Sequence, residues 1–114
     1  MNNGWSIMAN TKLFGEGFHS LPDSSHIKSL ELINTQNQHS HILENVPGKK
    51  ASVKILHGIA VDNDNIINKQ AAAWGLALFG EYTDEERQSP NSHPNIRLLI
   101  EIIDGDQIWE VTST

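Results

Sequence analysis

The sequence contains no cysteine. That excludes a disulfide framework, a thiolate metal site and a thiol nucleophile, and for so small a chain it points to the cytoplasm. Long apolar runs are also missing. The longest are Ala71–Trp74 and Leu76–Phe79, separated by Gly75, whereas a bilayer span needs roughly 20 apolar residues, so no membrane segment is expected. No Lys or Arg precedes Lys12, so the start of the chain lacks the charged-then-apolar layout of a secretion signal. There is no Gly-x-Ser-x-Gly elbow of a serine hydrolase. Gly15-Glu16-Gly17 is only a fragment of a dinucleotide-binding glycine motif.

Positive charge is scarce in one place only. Residues 1–80 hold six acids and six bases, whereas from Glu81 onward eight acids face Arg87 and Arg97 alone, so the net charge of −6 belongs entirely to the last 34 residues. Phosphate backbones are bound by clustered Lys and Arg, so nucleic acid is not an expected partner. A basic protein is the partner that such an acidic surface would attract.

What is present suffices for one α+β domain. The 114 residues are 38% hydrophobic, enough for one modest core across 1–114, with residues 1–8 read as a flexible tail. Leu13, Phe14 and Phe18 suggest a short helical face weakened by Gly15 and Gly17. Apolar alternation in 26–33 and 39–46, around Thr35-Gln36-Asn37-Gln38, predicts an antiparallel hairpin over about 26–46 that ends at Pro47-Gly48. Ser52 is a suitable cap for a helix over 53–61, and Asp62–Asn65 ends it as a polar turn. That turn fails as a calcium loop because the required glycine and closing glutamate are Ile67 and Ala73.

A helix over 68–82 follows, capped by Asn68, with Ile67, Ala71, Trp74, Leu78 and Tyr82 along one face. Thr83-Asp84-Glu85-Glu86 matches a capping box, which predicts a break at Gly80 and a restart. Residues 95–103 read as a helix with Pro94 at its first turn and Gly105 as its stop, or else as a strand of a hairpin turning at Asp104-Gly105. A final strand, 107–112, joins the earlier hairpin. The expected architecture is a small antiparallel sheet packed by two to four helices.

Three groups of residues carry possible chemistry. His39 and His41 share one face of a strand and are candidate ligands for zinc or another divalent ion, or else part of an exposed polar face. His93 lies beside a proline at a helix start, where an imidazole can meet an anion or move a proton, with Glu81 or Asp84 as its carboxylate, or else it is a packing residue. Lys49, Lys50 and Ser52 follow Gly48 at another helix start. They lack the glycine and hydroxyl spacing of a nucleotide P-loop but suit a small anion.

Pro47-Gly48-Lys49 leading to Ser52, Ala72-x-x-Gly75-Leu76 with Phe79 and Glu81-x-Thr83, and His93-Pro94-Asn95-Ile96 opening an apolar helix together resemble a family of small bacterial proteins of unknown function, over most of residues 20–112. The resemblance implies a bacterial intracellular protein; it supplies no catalytic residue, substrate or cofactor. The first functional expectation is therefore a non-enzymatic interaction module acting as a homo-oligomer, with Trp5, Trp74 and Trp109 as available anchors. The alternative is a small metal- or anion-dependent enzyme or binding protein centred on His93, Glu81 and Asp84.

Overall fold

The computed structural model describes residues 12–114; the expected tail, 1–8, and Trp5 lie outside them. The described residues form four strands and four helices in an α+β arrangement. In chain order these are β1 (Ser29–Asn34), β2 (Ser40–Glu44), α1 (Lys50–Val61), β3 (Ile66–Ile67), α2 (Lys69–Phe79), α3 (Glu81–Gln88), α4 (Pro94–Gly105) and β4 (Trp109–Ser113). A short 3-10 turn, Phe18–Ser20, precedes them. There Phe14 and Phe18 stack with ring centroids 4.2 Å apart, while Leu13 is exposed.

The sheet is antiparallel, in the order β2-β1-β4-β3. The hairpin register pairs Leu30 with Leu43 and Leu32 with His41, and β4 joins on the other side of β1 with Val111 opposite Leu32 and Trp109 opposite Asn34. Because side chains alternate, this places Leu30, Leu32, Leu43, Trp109 and Val111 on the buried face. Glu31, Ile42, Glu44, Glu110 and Thr112 are left on the exposed one. The hairpin and the last strand follow the sequence pattern. The two-residue β3 does not appear in it; Ile66 and Ile67 pair with Glu110 and Trp109 directly after the turn at Asp62–Asn65, too short a run for periodicity to register.

The helices cover the buried face, with Val53, Ile55, Leu56 and Ile59 of α1 and Ile96, Leu99 and Ile102 of α4 nearly or fully enclosed. Residues 95–103 are helical, and α4 runs slightly beyond them. The stop is Asp106 rather than Gly105: Asp106 takes the left-handed conformation (φ 49°, ψ 47°), and the N–H groups of Asp106 and Gln107 return to the carbonyls of Ile103 and Ile102, satisfying the last turn.

Asn68 caps α2 as expected, its Oδ1 accepting the Ala71 N–H at 3.0 Å. The face of α2 differs from the sequence reading. Its buried side is Ala71, Ala72, Gly75, Leu76, Leu78 and Phe79, and Trp74 is 45% exposed. Small residues decide this. A Cβ at Gly75 would lie 2.7 Å from Leu99 Cδ1 and 3.0 Å from Ile59 Cδ1, so α1 and α4 close onto α2 along the side that has least bulk, and the indole turns outward.

The chain breaks at Gly80, as the sequence indicates, but not through a capping box. Thr83 lies inside α3, its hydroxyl donating to the Leu76 carbonyl at 2.7 Å, and Glu86 points away from the helix start. The break is sealed instead by residues 13–15: the Leu78 carbonyl accepts from the Gly15 N–H at 2.8 Å, and the Glu81 N–H donates to the Leu13 carbonyl at 3.0 Å. These bonds satisfy groups that a helix end and a helix start leave open. Gly80 holds φ 60° and ψ −125°, and a Cβ there would sit 2.4 Å from the Leu13 carbonyl oxygen. Gly80→Ala should therefore lower stability by at least the roughly 1–3 kcal/mol of such backbone strain; urea denaturation of the two proteins measures it.

Candidate functional site

The turn at Val46–Lys49 closes with the Lys49 N–H on the Val46 carbonyl at 2.9 Å, and α1 starts at Lys50. Ser52 is thus the third residue of the helix, not its cap. Lys49 occupies the cap position, and no side chain caps the helix there. The opening N–H groups of a helix have no partners within it and carry its positive dipole end. Lys49 and Lys50 add two exposed ammonium groups, Lys50 reaching Asn45 Oδ1 at 3.5 Å.

The start of α4 is built by a carboxylate. Glu86 is fully buried, at 0% exposure. Its Oε2 accepts the Asn91 N–H at 2.7 Å and the Arg97 Nε–H at 2.7 Å, and its Oε1 accepts the His93 N–H at 2.6 Å. Burial alone would raise its pKa; the N–H groups of Asn91 and His93 and the Arg97 guanidinium outweigh this and hold the carboxyl below its ordinary value. The effect is mechanical as well as electrostatic: Glu86 ties the loop 89–93 to α3 and so sets where His93 and Pro94 begin α4. No side chain caps that helix either, and Pro94 stands in its first turn, where its missing N–H costs nothing.

The carboxylate that meets the His93 ring is Glu85, neither Glu81 nor Asp84. His93 Nε2 lies 2.5 Å from Glu85 Oε1, and Lys12 Nζ lies 3.1 Å from Glu85 Oε2. The hydrogen bond from His93, then that from Lys12, holds the Glu85 carboxyl below its usual value. An ionised carboxylate only accepts, so Nε2 carries the shared proton and Nδ1 is the ring nitrogen left for a ligand. Glu81 Oε1 instead accepts the Leu13 N–H at 3.1 Å, and Asp84 is exposed on the far side of α3 from the buried Thr83 and Glu86. The i, i+1 choice between Asp84 and Glu85 depends on the rotation of a helix that the sequence does not reveal.

The two helix starts open onto one cavity of about 380 Å³. Lys49, Lys50 and Ser52 line it from α1, and Ser92, His93 and Asn95 from the approach to α4; Phe14, Phe79 and Tyr82 line it as well. Lys49, Lys50 and Ser52 and the histidine, far apart in sequence, thus face one space. No carboxylate is among its lining residues. Chemically the arrangement offers two ammonium groups, the hydroxyls of Ser52, Ser92 and Tyr82, and helix-terminal N–H groups to an anion.

His39 and His41 line a different hollow of about 500 Å³, with Asn34, Arg97, Glu101 and Trp109 among its other walls. His39 stands just before β2 and is exposed; His41 Nε2 is 2.8 Å from Asn95 Oδ1. Among the described residues no three His, Asp or Glu side chains gather as a metal would require, so the pair has no third protein ligand there. None of the described helices is long and apolar enough to cross a membrane.

Sequence reasoning missed Glu86, Glu85, Tyr82 and Asn95 as parts of this region. Glu86 is legible in the sequence only as half of a capping box; its partner Arg97 is eleven residues away, and no short-range rule connects them. Searches of curated proteins and of solved structures each returned no match. A family model described as an uncharacterized protein conserved in bacteria (DUF2322) matches residues 14–113, a span that takes in all the strands and helices of the described residues and the whole cavity, and the chain belongs to that bacterial family.

Proposed function

We propose that the chain binds small phosphate-bearing anions in the cavity between the starts of α1 and α4. The observation that carries this reading is local charge set against global charge. In a chain of net charge −6, the cavity walls include the two ammonium groups of Lys49 and Lys50 and no carboxylate. The uncapped start of α1 adds its dipole and open N–H groups, and the first turn of α4 beyond Pro94 faces the same space.

Inorganic phosphate is the simplest probe. A hydrogen bond to a charged group contributes about 1.5–3 kcal/mol, and each 1.4 kcal/mol is about tenfold in affinity, so Lys49→Ala/Lys50→Ala should weaken phosphate binding roughly a hundredfold. Both lysines are exposed, so the thermal midpoint without phosphate should stay unchanged. Isothermal titration of both proteins measures the difference, and equal affinities would remove the site.

A second reading, self-association, is favoured by the sheet edge. Among the described residues β2 pairs on one side only, and Ile42 on its outer face is 64% exposed. A second copy adding strand to strand would cover both. Sedimentation equilibrium should then show dimers at high micromolar concentration that Ile42→Lys dissociates; a strict monomer would reject this reading. A basic protein partner has less to hold than composition indicates, since Glu85 and Glu86 are engaged within the chain.

A further inference from the structure

The cavity is larger and more apolar on one side than a bare anion requires. The chain has only three Phe and one Tyr, and Phe14, Phe79 and Tyr82 all line this space. Phe14 and Tyr82 belong to a continuous aromatic series. Phe18 stacks on Phe14, the Phe14 and Tyr82 centroids are 5.0 Å apart, and the Tyr82 ring meets the His93 ring edge-on at 5.7 Å. The series therefore ends beside the residue that marks the polar end of the cavity. Its inner members are fixed: Phe18 is buried, and Phe14 and Tyr82 pack against the core; Phe79, also buried, lines the cavity beside them.

We infer that the ligand is a phosphomonoester carrying a planar aromatic ring, its phosphate toward Lys49, Lys50 and the two helix starts and its ring against Tyr82 and Phe14. This rests on the phosphate-binding proposal and adds the class of the organic group. Three observations favour a ring over a polyol or a short acid. A volume of about 380 Å³ falls in the range of roughly 300–1,000 Å³ typical of sites for small organic ligands. A rigid aromatic wall offers offset or edge contacts that a saturated group does not exploit. The cations and the aromatic rings bound one space, so a single molecule with an anionic end and a flat end satisfies both. A free aryl phosphate and a nucleoside monophosphate share this chemistry.

The test compares phenyl phosphate, glycerol 3-phosphate, inorganic phosphate and phenol on the 114-residue chain by titration calorimetry, with adenosine 5′-monophosphate alongside to separate the two sources. Stacking on an aromatic side chain predicts that phenyl phosphate, adenosine 5′-monophosphate or both bind roughly tenfold more tightly than glycerol 3-phosphate. Tyr82→Phe should keep that ratio, and Tyr82→Leu should bring it close to one. Equal binding of the ring-bearing and glycerol phosphates by the native chain would overturn the inference and leave the phosphate site standing. Binding of phenol as tightly as phenyl phosphate, or no binding of any phosphate, would overturn both. Should Tyr82→Leu unfold, the native-chain ratio alone decides the matter.

Discussion

Glu86→Ala should remove about 3–5 kcal/mol of stability, the usual cost of taking one partner from a buried ion pair. The replacement strands more than Arg97. The N–H groups of Asn91 and His93, held in half-buried bonds, also lose their acceptor, which adds to the loss. Glu86→Gln is the sharper probe, because it keeps the shape and one oxygen but turns an NH2 group toward N–H donors. It should recover only part of the loss.

The pH dependence follows with a definite sign. Glu86 and Glu85 both titrate below the ordinary glutamate value near 4.5 in the folded chain. A depressed carboxyl binds fewer protons folded than unfolded, so its contribution is complete above pH 4.5 and is lost as the pH falls through the lowered folded values. Stability measured by urea denaturation should be flat in this respect near neutrality and fall on the acid side of pH 4.5, with a shallower acid limb in Glu86→Gln. An unchanged acid limb would mean that Glu86 is not an ionised clamp between α3 and α4.

The second large effect separates two tryptophans. Trp109 is 7% exposed, sits opposite Asn34 in the centre of the sheet and donates its indole N–H to Gln107 Oε1 at 2.9 Å. Trp109→Ala should cost about 3–5 kcal/mol, as large-to-small changes of buried aromatics do. Trp74, 45% exposed on the outer side of α2, should cost less than about 1 kcal/mol when replaced by alanine. Thermal or urea unfolding of the two variants side by side checks this. Comparable losses would contradict an α2 rotated with its indole toward solvent.

That rotation shows where sequence reading succeeds and where it stops. Strands β1, β2 and β4 are legible because a half-buried strand advertises itself by alternation. Helix α4 is legible only in part: Pro94 before a stripe of Ile96, Leu99, Ile100 and Ile103 favours a helix, while a turn at Asp104-Gly105 also fits a hairpin strand by pattern. On α2 the widely spaced large residues suggest one face, yet the packed face is defined by Ala72 and Gly75, which signal nothing by hydrophobicity and everything by lack of bulk. Thr83 and Glu86 show the converse failure: their spacing satisfies a local rule, but a buried hydroxyl acceptor at Leu76 and a guanidinium eleven residues on offer better partners.

The candidate site is legible in the sequence only in pieces. A glycine turn before a helix marks Lys49, Lys50 and Ser52, and a proline marks His93, more than forty residues later. Their meeting depends on how α1 and α4 close against α2, a tertiary fact that no local pattern encodes. The choice of Glu85 over Glu81 and Asp84 depends on the same kind of rotation, in that case of α3.

The most direct measurement of the central claim is an amide-resolved NMR titration of the native chain with inorganic phosphate. Occupancy of the cavity predicts concerted shifts at the start of α1, Lys50 to Val53, and at the start of α4, Asn95 to Arg97, with the His93 ring protons moving along the same binding curve. Shifts confined to one helix start, or scattered over surface lysines such as Lys28 and Lys69, would contradict a shared anion site.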